Sequence, residues 1–512
     1  MSAADPLAIA PVVLPFVIGA LLLVTEARRP RWQAPVSITT AAALVVVALA
    51  LVARADAGAP TVTLVGNWPA PYGIVLFVDR LAALMVALVA LVGLAAALAS
   101  TSPTAGRGPH FHGLLQVQLA GLAGAFLTAD IFNLFVCFEL LLIASYALLL
   151  HGADSRAVRP GLRYVAVNLV ASAFFLIAAA AIYAASGTLN LADFARRWPA
   201  LTGFDAALAR AGVWALIGVF AVKAALLPLG FWLAPTYRAA PVAVALVFAV
   251  MTKVGVYAIL RIGAALGAGT GDAIAVELAA PLYALGLATV AAGVLSALAA
   301  RELAALVAAL VVVSSGVLVA AIASGPGAWG GAIVYAVHST IVAALLFLVA
   351  GTTGVQRGDL RDRTSAGPVA VDRVLLGSLW VVGGAAAAGF PPFGGFVGKF
   401  LVLSSTAGAG VSTGLWFALL GSGGFLMLAF ARAGATVFWA GGPPLPQAPS
   451  ASPGERAALV VLAAATLALI PAAGPLVRYA SAAAQALGAP AAAFAAVLDK
   501  RPVDSKAGRA GP

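Results

Sequence analysis

The sequence predicts an all-α, polytopic membrane protein of about fourteen transmembrane helices. Three observations carry that prediction. Hydrophobic residues make up 63% of the 512 positions. Charged residues make up only 9%, where an ordinary soluble domain has about 25%. The apolar residues gather in runs of about 20, the length that crosses a bilayer core as a helix. No soluble fold of this size hides so much apolar side chain, because some surface must face water. Lipid removes the conflict.

The first run, 8–25, follows Met-Ser-Ala-Ala-Asp-Pro with no basic stretch before it. It reads as a retained helix, not a cleaved signal peptide. Runs at 36–54, 77–100, 112–128 and 130–151 come next, the last two separated only by Thr128-Ala129-Asp130. After 162–186, the linker from Gly187 to Arg210 carries Asp193, Phe194, Arg196, Arg197, Trp198 and Asp205. That mixture predicts an amphipathic segment lying at the membrane interface. Spans at 210–233, 240–263, 277–299, 303–323 and 327–352 follow, then a long broken segment at 373–405. The last two spans, 413–440 and 456–478, flank a Pro/Gly/Ser-rich loop at 441–454. The chain thus divides into three N-terminal helices (1–100), a first half (112–263), a second half (273–440), a last helix (456–478) and a polar C-terminal tail (479–512). The final stretch, 499–512, has the composition of a disordered segment.

A net charge of +11 would suggest nucleic acid in a soluble protein. Here the arginines sit singly or in small groups between apolar runs, which is the pattern of membrane orientation. One alternate set of loops holds Arg28, Arg29, Arg31, Arg107, Arg156, Arg159, Arg163, Arg238, Arg301, Arg357, Arg361, Arg363, Arg373 and Arg456. The opposite set holds Arg54, Arg80, Arg196, Arg197, Arg210 and Arg261. The imbalance puts the first loop in the cytoplasm and both chain ends outside a bacterial inner membrane. The single cysteine, Cys137, excludes a disulfide framework, a Cys-based zinc site and an intrinsic iron–sulfur cluster.

Five lysines stand against twenty-four arginines. Lys500 and Lys506 are in the tail, but Lys223, Lys253 and Lys399 fall within apolar spans. Loops use arginine and the membrane interior uses lysine. Arginine keeps its proton under physiological conditions, whereas a buried lysine can release one. Glu139 belongs with the three lysines, mid-span between Phe132 and Leu142 with no basic residue within a helical turn. Insertion scales put a charge at a helix centre at about 2.5–3.5 kcal/mol, so four together cost on the order of 10 kcal/mol unless they pair or face water. A static ion pair of Glu139 with one lysine would leave two lysines without partners.

His338, mid-span in Val337-His338-Ser339, is the natural shuttle of the set, although such a histidine also serves simply to hydrogen-bond across helices. His110 and His112 flank a span start and read as interfacial, and His151 ends a span. Two histidines at i, i+2 make a poor metal site. Two spans carry built-in breaks: Lys223 precedes Pro228, and Lys399 follows Gly389-Phe390-Pro391-Pro392-Phe393-Gly394-Gly395. Proline removes a backbone donor, and in lipid the freed carbonyls are tolerated only where protein or a wet cavity satisfies them. A broken helix beside a titratable lysine is a geometry that membrane ion sites use, though proline kinks are also common without one. Gly325-Pro326-Gly327-Ala328-Trp329-Gly330 fits a dinucleotide fingerprint, but it joins two membrane spans and follows no strand. Gly398-Lys399 lacks the rest of a phosphate loop. No redox cofactor or metal is expected.

With these stretches assembled, the chain resembles the antiporter-like family shared by Mrp-type multisubunit cation/proton antiporters and the membrane arm of respiratory NADH–quinone oxidoreductase. The matching segments are 127–139 around Glu139, 222–233 around Lys223, 252–261 around Lys253, and 389–400 ending beside Lys399. The resemblance covers about 75–440 and implies two inverted five-helix repeats, with the seventh and twelfth helices broken. It implies that Glu139 pairs with Lys223, that Lys253 is the central relay, and that Lys399 stands near one exit. The chain departs from the pattern at Ala304 and Ala305, where a basic pair is usual, and at Ala343, where a lysine usually follows the histidine. Either water with Ser339 and Thr340 bridges from Lys253 to Lys399, or the coupling differs. The expected function is a translocating subunit of a Na+ or K+/proton antiporter acting with other membrane subunits, not an enzyme. A proton-pumping subunit of a redox complex and a non-conducting scaffold are the alternatives.

Overall fold

A computed structural model describes residues 5–102, 110–150, 155–267, 273–408 and 412–502. Helix α1 (Pro6–Thr25) starts at Asp5, whose carboxylate accepts the Leu7 amide at 3.1 Å. Helix α2 (Gln33–Ala57) returns antiparallel to it. The chain then forms a hairpin that a purely helical prediction omits. Strand β1 (Thr61–Leu64) pairs antiparallel with β2 (Val75–Val78), Thr61 opposite Val78. The β-branched Thr-Val-Thr and Ile-Val runs favour this extended backbone. Helix α3 (Arg80–Ala99) therefore begins only after Asp79, whose side chain accepts the Ala82 amide at 2.8 Å.

Helix α4 (Phe111–Leu127) has 17 residues, fewer than a full span requires. Both of its ends are tied to neighbouring elements. His110 at its start meets Glu26 at 2.7 Å, and Thr128 beyond its end bridges Leu76 of β2. Helices α5 (Ile131–Leu150) and α6 (Ser155–Ser186) follow. The amphipathic linker contains α7 (Leu191–Arg197), capped by the Asn190 side chain on the Ala192 and Asp193 amides at 3.1 and 3.2 Å. Arg196 and Arg197 both reach back to the buried Asp193 carboxylate.

The predicted seventh span, 210–233, is corrected at both ends. Helix α8 (Gly203–Lys223) starts earlier and stops at Lys223, before Pro228; the chain resumes helix in α9 (Leu233–Ala239). Within the break, the Leu227 amide donates to Thr289 Oγ1 at 2.9 Å. That bond supplies an acceptor the helix no longer offers. Helices α10 (Val242–Gly267), α11 (Ala273–Ala299), α12 (Leu303–Ala323) and α13 (Pro326–Gln356) complete the centre. The broken segment resolves into α14 (Arg373–Ala388) and α15 (Gly394–Ser405), with Gly389 at φ +90° ending the first. Then come α16 (Ser412–Gly434), α17 (Pro453–Ala468), α18 (Ala473–Gly488) and α19 (Ala491–Leu498).

The C-terminal expectation is also revised. Residues 479–488 continue α18, which bends 78° from α17, and α19 packs Val497 against Val62, Leu64 and Val75 of the hairpin. Alanine-rich sequence there supports helix, so the polar tail begins only near Asp499. Among the described residues, eleven helices are long and apolar enough to cross a membrane, twelve if the bent α17–α18 pair counts as one. The fourth and twelfth predicted spans correspond to the shorter apolar helices α4, α14 and α15. Helices α10 and α13 are buried along 94% of their most apolar stretch, and α1 along only 28%. The bundle thus has a protein-packed centre and an apolar rim.

One backbone staple occurs twice. At the start of α5, Ile131 N donates to Leu189 O at 2.8 Å and Leu191 N to Ala129 O at 2.9 Å. At the start of α12, Leu303 N donates to Asp362 O and Thr364 N to Arg301 O, both at 2.9 Å. The first lies beside β2, at the N-terminal end of α3. The second belongs to the 357–372 loop, whose Asp372 accepts the Ala451 amide at 2.7 Å. That segment leads to Gly454, which packs on Thr101 at the C-terminal end of α3. The staples occupy opposite ends of the bundle.

Candidate functional site

The ionisable residues singled out in the sequence are brought into two clusters with one residue between them. In the first, Lys223 closes α8 with 5% of its surface exposed. Its Nζ donates to Asn168 Oδ1 at 3.1 Å and stands 5.6 Å from the centre of the Phe138 ring. Glu139, on α5 and partly exposed, accepts the Ser172 hydroxyl. Asn168 and Ser172 are one turn apart on α6, so a single helix face holds both charges. The resemblance implies that Glu139 pairs with Lys223; among the described residues no ion pair within 4.0 Å joins them, and each meets a neutral side chain of α6 instead. The physical reason is that α6 inserts two neutral polar side chains where the charges would meet.

The second cluster forms where α14 ends. A helix leaves its last carbonyls without intrahelical partners, and its C-terminus carries partial negative charge. Here two of those carbonyls are taken. Ala386 O faces His338 Nε2 at 3.0 Å, and Ala388 O accepts Lys399 Nζ at 2.9 Å. The break after α14 thus presents backbone carbonyls to a histidine and a lysine, Ala386 O also accepting the Gly389 amide at 3.1 Å. Both side chains are buried, His338 at 1% and Lys399 at 7% exposure. Gly395 makes the approach possible: a Cβ there would lie 2.6 Å from His338 Nε2.

Lys253 stands between the clusters, on the central helix α10. Its Nζ donates to Ser314 Oγ of α12 at 2.7 Å, and Ser314 in turn donates to Val311 O at 2.8 Å. It touches neither of the other lysines. It is nonetheless tied to Lys223 through the backbone, because a Cβ on Gly255 would lie 3.1 Å from the Lys223 carbonyl carbon. Ser339 and Thr340 spend their hydroxyls on Ala336 O of their own helix, at 3.3 and 2.7 Å. They do not reach Lys253. Thr252 Oγ1, Ser315 Oγ and His338 Nδ1 are buried with no protein hydrogen-bond partner. Buried polar atoms of that kind are normally met by ordered water.

Three residues that the sequence reading missed complete the geometry: Asn168, Ser172 and Ser314. Neutral polar side chains carry no charge signal in an apolar run. Asn168, set between Val167 and Leu169, was nonetheless conspicuous, since an amide in a membrane span needs a partner. Of the remaining histidines, His110 is at the surface as expected, whereas His112 is buried in α4 against Phe111. His151 lies outside the described residues. At the molecule's ends, burial raises the Asp362 carboxyl above its ordinary value, opposed chiefly by the Ala304 amide that donates to it at 2.8 Å. The carboxylate thus caps α12 beside Ala304, the position at which the sequence departs from the family pattern.

Comparisons with known proteins bear on the fold and the family. The family model described as NADH:quinone oxidoreductase/Mrp antiporter, TM, matches residues 128–425. The D-type subunit of a probable K(+)/H(+) antiporter from Rhizobium meliloti is 37% identical over 95% of this chain and 96% of its own. The D-type subunit of the Na(+)/H(+) antiporter of Bacillus subtilis is 36% identical over 66% of this chain and 68% of its own. A chain of the Mrp complex from Dietzia sp. superposes with a TM-score of 0.86 at 26% identity, covering 97% of this chain and all of that one. A chain of respiratory complex I from Thermus thermophilus, at TM-score 0.75 and 24% identity over 96% of this chain and 99% of its own, shares the fold. Buried lysines on broken helices, a matched transmembrane core and near full-length relatives converge: the chain belongs to the NADH:quinone oxidoreductase/Mrp antiporter family of membrane proteins.

Proposed function

We propose that the chain is the D-type, proton-translocating subunit of a multisubunit Na+ or K+/proton antiporter in a bacterial inner membrane. The observation that carries this reading is that all three intramembrane lysines are buried, each with its Nζ on a neutral acceptor: Asn168, Ser314 and the Ala388 carbonyl. A neutral acceptor holds an ammonium without locking it into a permanent ion pair, so the proton can leave. Protons enter near Glu139, pass through Lys223 to Lys253, and leave by His338 and Lys399, with water bridging the gaps. Ser314 takes the place beside Lys253 that the residues around Ala343 do not fill. The two staples at 129–131 with 189–191 and 301–303 with 362–364 support two inverted repeats. The arginine-rich loop set faces the cytoplasm, and other membrane subunits of the complex cover part of the apolar rim.

Near full-length likeness to the D-type subunit of a K(+)/H(+) antiporter, with a further match to that of a Na(+)/H(+) antiporter, favours this reading over a redox-driven pump. The test is direct. Glu139→Ala and Lys223→Ala are each expected to reduce cation-dependent proton transport in membrane vesicles at least tenfold while the complex still co-purifies. Parental activity in either variant, at parental abundance, would overturn the proposal.

A further inference from the structure

Helix α10 carries Lys253, Tyr257 and Arg261 at four-residue steps, so the three share one face. At 1.5 Å per residue, Arg261 lies roughly 12 Å beyond Lys253 toward the end of the bundle that holds the β-hairpin. The Arg261 guanidinium grips Asp79 with both Nη atoms, at 2.6 and 2.5 Å. Its Nε donates to the Tyr257 hydroxyl at 2.9 Å, and that hydroxyl donates to Phe126 O at 2.6 Å. The Tyr257 ring is thereby held at its hydroxyl by two hydrogen bonds.

Tyr257 lines two separate cavities. On its inner side, a space of about 30 Å³, apolar apart from Lys253 and Tyr257, touches Lys253, Met85 and Ala336 and has room for a single water. On its outer side, a vestibule of about 250 Å³ is lined by Asp79, Arg261, Asp130 and Thr128, and by Phe494 of α19. The side chains of Arg261 and Asp79 are 13% and 14% exposed. Their bidentate pairing makes the floor electrically neutral, so the arginine does not oppose a passing proton as a bare charge would. Neither Tyr257 nor the Arg261–Asp79 pair has a place in the line from Glu139 to Lys399.

We propose that Lys253 has its own aqueous opening at the hairpin end of the molecule, through this vestibule, and that the Tyr257 ring is the partition closing it. The inference rests on Lys253 being the central proton carrier, as proposed above. It makes Tyr257 a positioning residue: opening or closing its ring decides whether the central lysine sees that face or only its neighbours within the membrane.

Two measurements on the assembled complex test it. The first is passive decay of an imposed pH gradient in vesicles without Na+ or K+. Tyr257→Ala is expected to speed that decay at least fivefold, and the conservative Tyr257→Phe to restore slow decay. Should Tyr257→Ala fail to assemble, Tyr257→Leu, which keeps bulk but no ring, is read in the same way. The second is labelling of Met85→Cys in a Cys137→Ala chain by an impermeant thiol reagent applied at the hairpin face. Labelling is expected only when Tyr257→Ala is also present. Unchanged decay, or no labelling of the opened chain, overturns the opening. Fast decay that survives addition of Lys253→Ala overturns its assignment to that lysine. The labelling needs no transport, so it separates a failure of this opening from a failure of the antiport reading.

Discussion

Asn168 donates Nδ2 to Tyr164 O at 2.9 Å, which turns Oδ1 toward Lys223 at 3.1 Å. One turn further along α6, Ser172 gives its hydroxyl to Glu139. The acid and the amine are thus each stabilised by a neutral partner and kept from collapsing onto one another. A buried polar group deprived of its partner costs about 1–3 kcal/mol, and a charged one more. Asn168→Leu removes the acceptor and leaves Lys223 to seek Glu139, locking both in a direct pair; Ser172→Ala does the same from the acid's side. Each is expected to slow cation-dependent proton transport in vesicles about tenfold and to shift its pH profile. A parental rate with a parental pH profile would show that α6 is mere packing. The charged members of this site were legible in the sequence because lysine and glutamate are conspicuous in apolar runs. Of their neutral partners, the hydroxyls of Ser172 and Ser314 were not, since serine occurs in spans for many reasons, whereas the Asn168 amide stood out.

Among the elements, the central helix α10 works by closeness to α8. A Cβ at Gly255 would sit 2.7 Å from Ala224 N and 2.9 Å from Phe220 O, both backbone atoms at the end of α8. Backbone cannot give way as a side chain can, so α10 and α8 must separate to admit it. Overpacking of this kind costs typically about 1–3 kcal/mol. Gly255→Ala is therefore expected to lower thermal stability in detergent by several degrees and to cut transport at least tenfold, because Lys253 moves away from Lys223. Normal transport with lowered stability would separate packing from the relay and defeat the second half of that expectation. The broken helices were legible from Pro228 and the Pro391-Pro392 pair. The point at which α8 stops was not, because it is set by the chain's course past Thr289 of α11 and not by the proline alone. The β1–β2 hairpin was within reach of the sequence, in the alternation of Thr61-Val62-Thr63-Leu64, but β1 lies between the second and third predicted spans, and Phe77 and Val78 of β2 are counted in the third.

For the whole molecule, orientation follows from the arginines. The hairpin end carries few of them, and the end holding Arg238, Arg361 and Arg363 carries many, which is why the latter is proposed to face the cytoplasm. In a Cys137→Ala chain, Tyr72→Cys near the hairpin, where the native side chain is 87% exposed, is expected to react with an impermeant thiol reagent in intact cells. Ser365→Cys, on the exposed 357–372 loop, is expected to react only in inverted vesicles. The opposite pattern would invert the direction proposed for proton movement. Packing at this scale also describes the C-terminal segment: α18 turns 78° away from α17, and α19, largely exposed, lays its one buried side chain, Val497, against the hairpin.

Membrane class, the order of the apolar spans and the segregation of lysine from arginine were determined by the sequence alone. Each is a sum of single-residue transfer free energies along the chain, and such sums need no knowledge of the fold. Only the tertiary structure decided which neutral atoms hold those lysines, that Glu139 and Lys223 form no direct ion pair, and that Tyr257 lines two cavities. These depend on partners far away in sequence, 55 residues from Asn168 to Lys223, 61 from Lys253 to Ser314 and 182 from Asp79 to Arg261. A hydrogen bond is directional and reaches about 3 Å, so it exists only once packing has set the helices side by side.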